Sequence, residues 1–380
     1  MNLIKIMAIN ILIVLALLGT IILAPPIMNL TYQFLKQNAD QSSGVTRGDL
    51  ALYDSFEWAA KHFEEFKSLQ TTYYDYITWR RDDYNGETIN ITDGLRHTPI
   101  SSSLNKSATT YWFFGGSTTW GTGVSDLYTY PTIFAHQKKA DVVNFGESGY
   151  IARQSLAYML NHLISNNIQD LSNVHVVFFD GLNDVASRCR SEIAGLGTER
   201  ETQIQTFLDS SGADGSVEKY DFKRTFAQLS DFLAAIVRRI GNVGSEQLYA
   251  ESLAEKLYSC SKDNERAAEV AETLVRTWQA ASDSVESRGG KFTAILQPVA
   301  FYGDADFSYL NLTTPNDQAL SQQYETVYPL VTEIAKRSGL GFIDVTKVYD
   351  GCGECYIDFA HVGPQAHRLL VDRLIVSLNE

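Results

Sequence analysis

Hydrophobic and polar positions change their period several times along the chain. No charged residue occurs from Ile6 to Ala24. At about 1.5 Å per residue that run crosses a hydrocarbon layer of about 30 Å. After Pro25-Pro26 a polar run from Gln37 to Asp49 reads as a stalk. Leu52, Phe56, Ala59, Ala60, Phe63 and Phe66 recur at helical spacing and predict a helix over 50–69. Aromatic, β-branched and polar residues from Tyr73 to Thr92 predict a hairpin around Asn85-Gly86, covering an edge or one end of a larger sheet.

From Thr110 the pattern alternates between strand and helix. Strands are predicted at Tyr111–Phe114, 141–145, 175–179, 291–296 and 341–345, and helices at 130–138, 152–164, 267–285, 319–337 and 363–378. Near-continuous apolar runs such as His175-Val-Val-Phe-Phe179 suit parallel strands buried on both faces. The rhythm predicts an α/β fold, a three-layer, doubly wound parallel sheet. An acidic insertion at about 190–265 interrupts it, with a loop at 197–215 and helices at 217–240 and 245–258, read as a cap over the strand ends. The expected organisation is an anchor at 1–27, a stalk, helix and hairpin extension at 28–109, and a main domain at 110–380.

Charge narrows the function. A formal net charge of −14 argues against nucleic acid or an anionic membrane surface as partner. Lys5 precedes the apolar run and Lys36 is the first basic residue after it, which puts the N-terminus in the cytoplasm and the bulk outside. A cleaved signal peptide is the rival reading, but Ile22-Leu23-Ala24-Pro25-Pro26 lacks small residues at both flanking positions and carries proline where cleavage would follow. An uncleaved anchor is preferred. Cys189, Cys260, Cys352 and Cys355 suit disulfides in an exported domain. Cys352 with Cys355 would leave Cys189 to Cys260, and zinc or redox chemistry is the alternative. The seven histidines include no His-x-x-x-His, so no metal and no cofactor is expected. Asn29, Asn90, Asn105 and Asn311 begin glycosylation sequons, which matter only in a host that uses them.

Candidate chemistry gathers where predicted strands end. Gly115-Gly116-Ser117 follows the first strand, Asn144-Phe-Gly146-Glu-Ser-Gly149 the second, and Gly181-Leu-Asn183-Asp184 the third, while Asp358-Phe-Ala-His361 precedes the last helix. Each is explicable alone as a cap or turn residue. Together they supply what acyl transfer needs: Ser117 as nucleophile, His361 as base, Asp358 as its orienting acid, and the N–H groups of Ser117 and Gly149 with the Asn183 amide as oxyanion donors.

In this order the four blocks resemble the SGNH hydrolase superfamily, the GDSL-type esterases. The resemblance covers Tyr111 to the C-terminus apart from the insertion. It implies a flavodoxin-like sheet, a Ser117-His361-Asp358 triad and an oxyanion hole of Ser117, Gly149 and Asn183. Gly116 departs from it, standing where the family has aspartate. The extension around Asn90 and Gly94-Leu-Arg96 is similar to that of membrane-anchored bacterial relatives.

The expected function is an extracytoplasmic serine esterase, anchored by its N-terminal helix, that removes O-acyl groups, O-acetyl foremost, from a small molecule or glycan. Acyl transfer by the same triad is the alternative within the enzyme class. A non-catalytic glycan-binding or scaffold protein is the alternative outside it, motivated by Gly116 and the cap. Trp112, Trp120 and Tyr150 could stack on sugar faces but read foremost as core. With His361 as base, activity should fall below about pH 6.5, the ordinary imidazole value. Substrate and oligomeric state are not legible.

Overall fold

The computed structural model describes residues 47–99, 109–191, 193, 197–198, 201–202 and 257–378, which belong to one compact unit. The candidate membrane segment, the stalk as far as residue 46 and most of the predicted cap, including helix 217–240, lie outside them. Among the described residues no helix is long and apolar enough to cross a membrane.

The strands are β1 (Thr71–Tyr74), β2 (Thr78–Arg81), β3 (Tyr84–Asn85), β4 (Asn90–Thr92), β5 (Leu95–Arg96), β6 (Thr110–Gly115), β7 (Asp141–Asn144), β8 (Val174–Asp180), β9 (Lys291–Leu296) and β10 (Phe342–Asp344). The helices are α1 (Ala59–Ser68), α2 (Ser117–Trp120), α3 (Tyr130–Lys138), α4 (Ala152–Ser165), α5 (Leu182–Arg188), α6 (Asn264–Glu286), α7 (Pro315–Arg337) and α8 (Pro364–Ser377). The main sheet runs β10-β9-β8-β6-β7-β5-β4-β3. Its β10-β9-β8-β6-β7 part is parallel. Taken in chain order those strands stand 2-1-3-4-5, the flavodoxin-like winding.

The purely parallel expectation needs one correction, because the sheet is mixed. The extension adds β5, β4 and β3 antiparallel along the β7 edge, beginning with the Arg96–Asn144 pair. Pairing there satisfies backbone groups that an open edge would expose. The predicted single hairpin resolves into two. β1 and β2 pair through a turn containing Tyr76 at φ 63°. β3 and β4 pair across 86–89, where the Glu65 carboxylate accepts the N–H groups of Glu87, Thr88 and Ile89 and pins the turn from α1. The predicted helix over 50–69 begins only at Ala59, after short 3₁₀ turns at Arg47–Asp49 and Ala51–Tyr53. Leu50 and Tyr53 turn inward there, and the Tyr53 hydroxyl donates to the Gly123 carbonyl at 2.6 Å, so tertiary contact overrides helical period.

Strand alternation explains the long apolar runs. Tyr111, Phe113, Val177, Phe179 and Ile295 pack on one face with Phe134 of α3 and Leu370 and Leu374 of α8. Trp112, Phe114, Val176, Phe178, Ala294 and Leu296 pack on the other with Met159, Leu274, Trp278 and Tyr324. Trp112, Trp120 and Tyr150 are all buried, so they serve the core. The insertion leaves and re-enters at one place: Cys189 is bonded to Cys260, Ser259 N–H donates to the Cys189 carbonyl, and Arg190 bridges Tyr258. The β8-to-β9 crossover is thereby undisturbed. Cys352 is bonded to Cys355.

Trp120 ends α2 and is wholly buried, with the guanidinium groups of Arg81 and Arg96 at 4.2 and 4.3 Å from its ring. Trp120→Ala is expected to lower the free energy of unfolding by about 3–5 kcal/mol, measured by urea denaturation, through lost burial and lost cation–π contact.

Candidate active site

The turn before Ser117 depends on its glycines. Gly115 has φ 153°, and a Cβ there would lie 2.4 Å from the Phe179 carbonyl oxygen of the neighbouring strand. A Cβ on Gly116 would lie 2.6 Å from the Asn183 amide nitrogen. The glycine that departs from the family pattern therefore makes room for a predicted oxyanion donor. Ser117 follows as the first residue of α2, where a backbone N–H has no partner within the helix.

The structure brings the three predicted triad residues together. His361 Nε2 lies 2.6 Å from Ser117 Oγ. His361 Nδ1 lies 2.8 Å from Asp358 Oδ2 and 3.0 Å from Oδ1. With Nδ1–H donated to the carboxylate, Nε2 is the nitrogen free to accept the serine proton. Asp358 Oδ1 also accepts the N–H groups of Ala360 and His361, both at 2.8 Å, so the carboxylate shapes the loop it belongs to. Burial alone would raise the Asp358 pKa. The His361 charge and hydrogen bond, the nearby Arg47 and the Ala360 N–H outweigh burial and hold it well below the usual carboxylate range.

Of the donors predicted for the oxyanion hole, Asn183 lies against Gly116, next to Ser117. Asn183 Nδ2 donates to the Tyr150 carbonyl at 2.9 Å, which ties it to the loop carrying Gly149. Gly149 itself has φ 78°, a left-handed conformation that favours glycine. Asn144 works one step back: its Nδ2 donates to the Thr119 carbonyl and its Oδ1 accepts the Gly146 N–H. Asp184 is buried, with Oδ2 accepting the Ala152 N–H, and so fastens the start of α4 to the start of α5.

Several supporting residues carry no motif. Gln297, at the carboxyl end of β9, donates to Thr118 Oγ1 at 2.8 Å, beside the nucleophile; its place after a predicted strand was the available signal. Trp79 Nε1 donates to the Ser148 carbonyl, and Arg81 donates from its backbone to Glu147 and from its side chain to Ser148. Nothing in the local sequence marks these, because their partners lie over 60 residues away. His367 is buried and held down at about 3 by burial first, then by Arg96 and His361; its Nδ1 accepts the Tyr130 N–H, a structural task. No cluster of three or more His, Cys, Asp or Glu suited to a metal occurs among the described residues.

Comparison with known proteins adds names but little weight. No family model matches the sequence, and no curated protein matches it. A member of the lipolytic protein G-D-S-L family from Veillonella parvula aligns at 13% identity and a TM-score of 0.37, covering 70% of this chain and 97% of its own. A putative arylesterase from Agrobacterium tumefaciens aligns at 15% and 0.39, covering 71% and 98%. A carbohydrate acetylesterase family member from Sinorhizobium meliloti aligns at 14% and 0.37, covering 72% and 100%. These descriptions fall in the group that the four motifs resemble.

The lowered pKa of Asp358 carries a sign. A depressed carboxylate contributes stability above its unfolded value of about 3.9, and that contribution is lost as pH falls below it. The stability difference between wild type and Asp358→Asn, measured by urea unfolding, is expected to be present above about pH 4 and to shrink progressively below it.

Proposed function

We propose that this chain is a membrane-anchored, extracytoplasmic serine esterase that removes O-acyl groups, O-acetyl foremost, from carbohydrate. The observation that carries the reaction is the run of short contacts Ser117 Oγ–His361 Nε2–Asp358, assembled from residues 244 positions apart in the chain. Ser117 Oγ attacks the ester carbonyl carbon as its proton passes to His361 Nε2. Asp358 stabilises the imidazolium across Nδ1. The oxyanion accepts hydrogen bonds from the Ser117 and Gly149 N–H groups and from the second Asn183 amide hydrogen, the first being donated to Tyr150. Collapse expels the alcohol, which takes the proton from His361. Water, activated by the same imidazole, then releases the acid and frees Ser117.

Gly116 motivated the non-catalytic alternative, and its fit against Asn183 now supports the esterase instead. The two disulfides support an oxidising compartment, in keeping with an extracytoplasmic site. The anchor rests on the run from Ile6 to Ala24. The carbohydrate assignment rests on the family resemblance.

The test is hydrolysis of a small acetyl ester together with fluorophosphonate labelling. Ser117→Ala is expected to abolish both, and retained hydrolysis would remove Ser117 from the mechanism. Asn183→Ala is expected to lower kcat about 10²–10³-fold with KM little changed. Gly116→Ala is expected to act in the same direction by displacing that amide. Wild-type kcat/KM should fall on the acid side as the imidazole protonates, and a flat profile to about pH 5 would remove His361 as base. Product analysis with an acetyl donor and a polysaccharide separates hydrolysis from transfer.

A further inference from the structure

We infer that Arg47 is a positioning residue of this site, sharing the Asp358 carboxylate with His361 and moderating how strongly that carboxylate favours the imidazolium. The inference rests on the esterase reading above. Arg47 Nη2 lies 2.6 Å from Asp358 Oδ2, the same oxygen that stands 2.8 Å from His361 Nδ1. One oxygen thus faces two cations whenever His361 is protonated. The guanidinium keeps its charge throughout the working pH range. It therefore opposes the imidazolium at short range while keeping the carboxylate ionised and fixed in place.

Arg47 is held where it is. It opens the 3₁₀ turn Arg47–Asp49, next to buried Leu50 and Tyr53, and the Tyr53 hydroxyl is fastened to the Gly123 carbonyl. A side chain on Gly48 would crowd the Phe63 ring at 3.0 Å, which shows how closely this turn lies on α1. The other titratable groups around the pair do not compete for the role. The Tyr53 phenol is pushed up by burial first and then by Asp358. Tyr309 donates to the Tyr356 carbonyl and is pushed up to about 12, chiefly by burial. His367 is buried and neutral, and Arg96 is paired with Asp126. Among the described residues Arg47 is the cation that the structure pairs with Asp358 besides His361.

Removing the guanidinium leaves the carboxylate's charge wholly to the imidazole, so the imidazolium becomes more stable. The acid limb of the activity profile then moves to higher pH. For unit charges on either side of one carboxylate, in a setting close to water, the expected shift is about 0.5 pH unit. That makes the rate about threefold lower on the acid side.

The experiment uses the full chain and measures the rate of Ser117 labelling by a fluorophosphonate from pH 4.5 to 9. This readout needs no knowledge of the natural ester. Arg47→Gln is expected to shift the midpoint upward by about 0.5 unit, and Arg47→Lys, which restores the charge, to return it toward wild type. Melting temperatures are recorded alongside. A structural role alone would lower stability or slow labelling at every pH with the midpoint unmoved. That result, in a wild-type protein that labels at Ser117, overturns the inference and leaves the esterase intact. Absence of wild-type labelling, or undiminished labelling of Ser117→Ala, overturns the esterase reading and this one with it.

Discussion

The parallel register of β6 between β7 and β8 is the constraint on which the site depends. Thr110 pairs with Asp141 on one side and Val174 on the other, so the three strands start level with one another and run the same way. Their carboxyl ends deliver Gly115-Gly116-Ser117, the Asn144–Gly149 loop and Gly181-Leu-Asn183 to the same rim. β9 pairs with β8 over its whole length and brings Gln297 there as well. His361 arrives on the loop before α8, held by hydrogen bonds from Ala300 N–H to the Phe359 carbonyl and from Ile357 N–H to the His361 carbonyl. A slip of one residue would turn every alternating side chain to the wrong layer, which is why helices on both faces enforce the register.

The extension matters as much as the sheet. Trp120, three residues after Ser117, has the guanidinium groups of both Arg81 and Arg96 against its ring. Arg81 also meets buried Glu147, and Arg96 meets Asp126. Taking such charges out of water costs several kcal/mol per ion unless each is well partnered. Here the partners include backbone carbonyls: Arg96 donates to Val124 and Thr88. The extension is therefore built into the walls of the site, gripping the nucleophile turn from one side and the Gly149 loop, through Trp79 and Arg81, from the other.

The loop carrying the base has its own closure. Tyr356 bridges Val362, Gly363 N–H donates to the Cys355 carbonyl, and Cys355 is joined to Cys352. Asp358 orders this frame further, because its carboxylate accepts backbone N–H groups of the loop as well as the ring N–H. A side chain that orders both backbone and imidazole limits the ways in which His361 can tilt away from Ser117.

Much was legible in the chain because the signals were local. Apolar runs marked the parallel strands, the alternation of strand and helix marked Tyr130–Lys138 to the residue, and strand-end glycines singled out Ser117, Gly149 and Asn183 as candidates. Asp358 and His361 could be read as partners because they lie within one turn of chain. Tertiary structure alone decided which groups support them. The extension's place on the β7 edge, the contact of Trp120 with two arginines and the approach of Arg47 to Asp358 are pairings across dozens to hundreds of residues. No periodicity encodes such contacts, since each follows from which surfaces the folded sheet leaves exposed. Gly116 shows the difference most directly. In the sequence it is a missing aspartate, and in the fold it is the space that the Asn183 amide occupies.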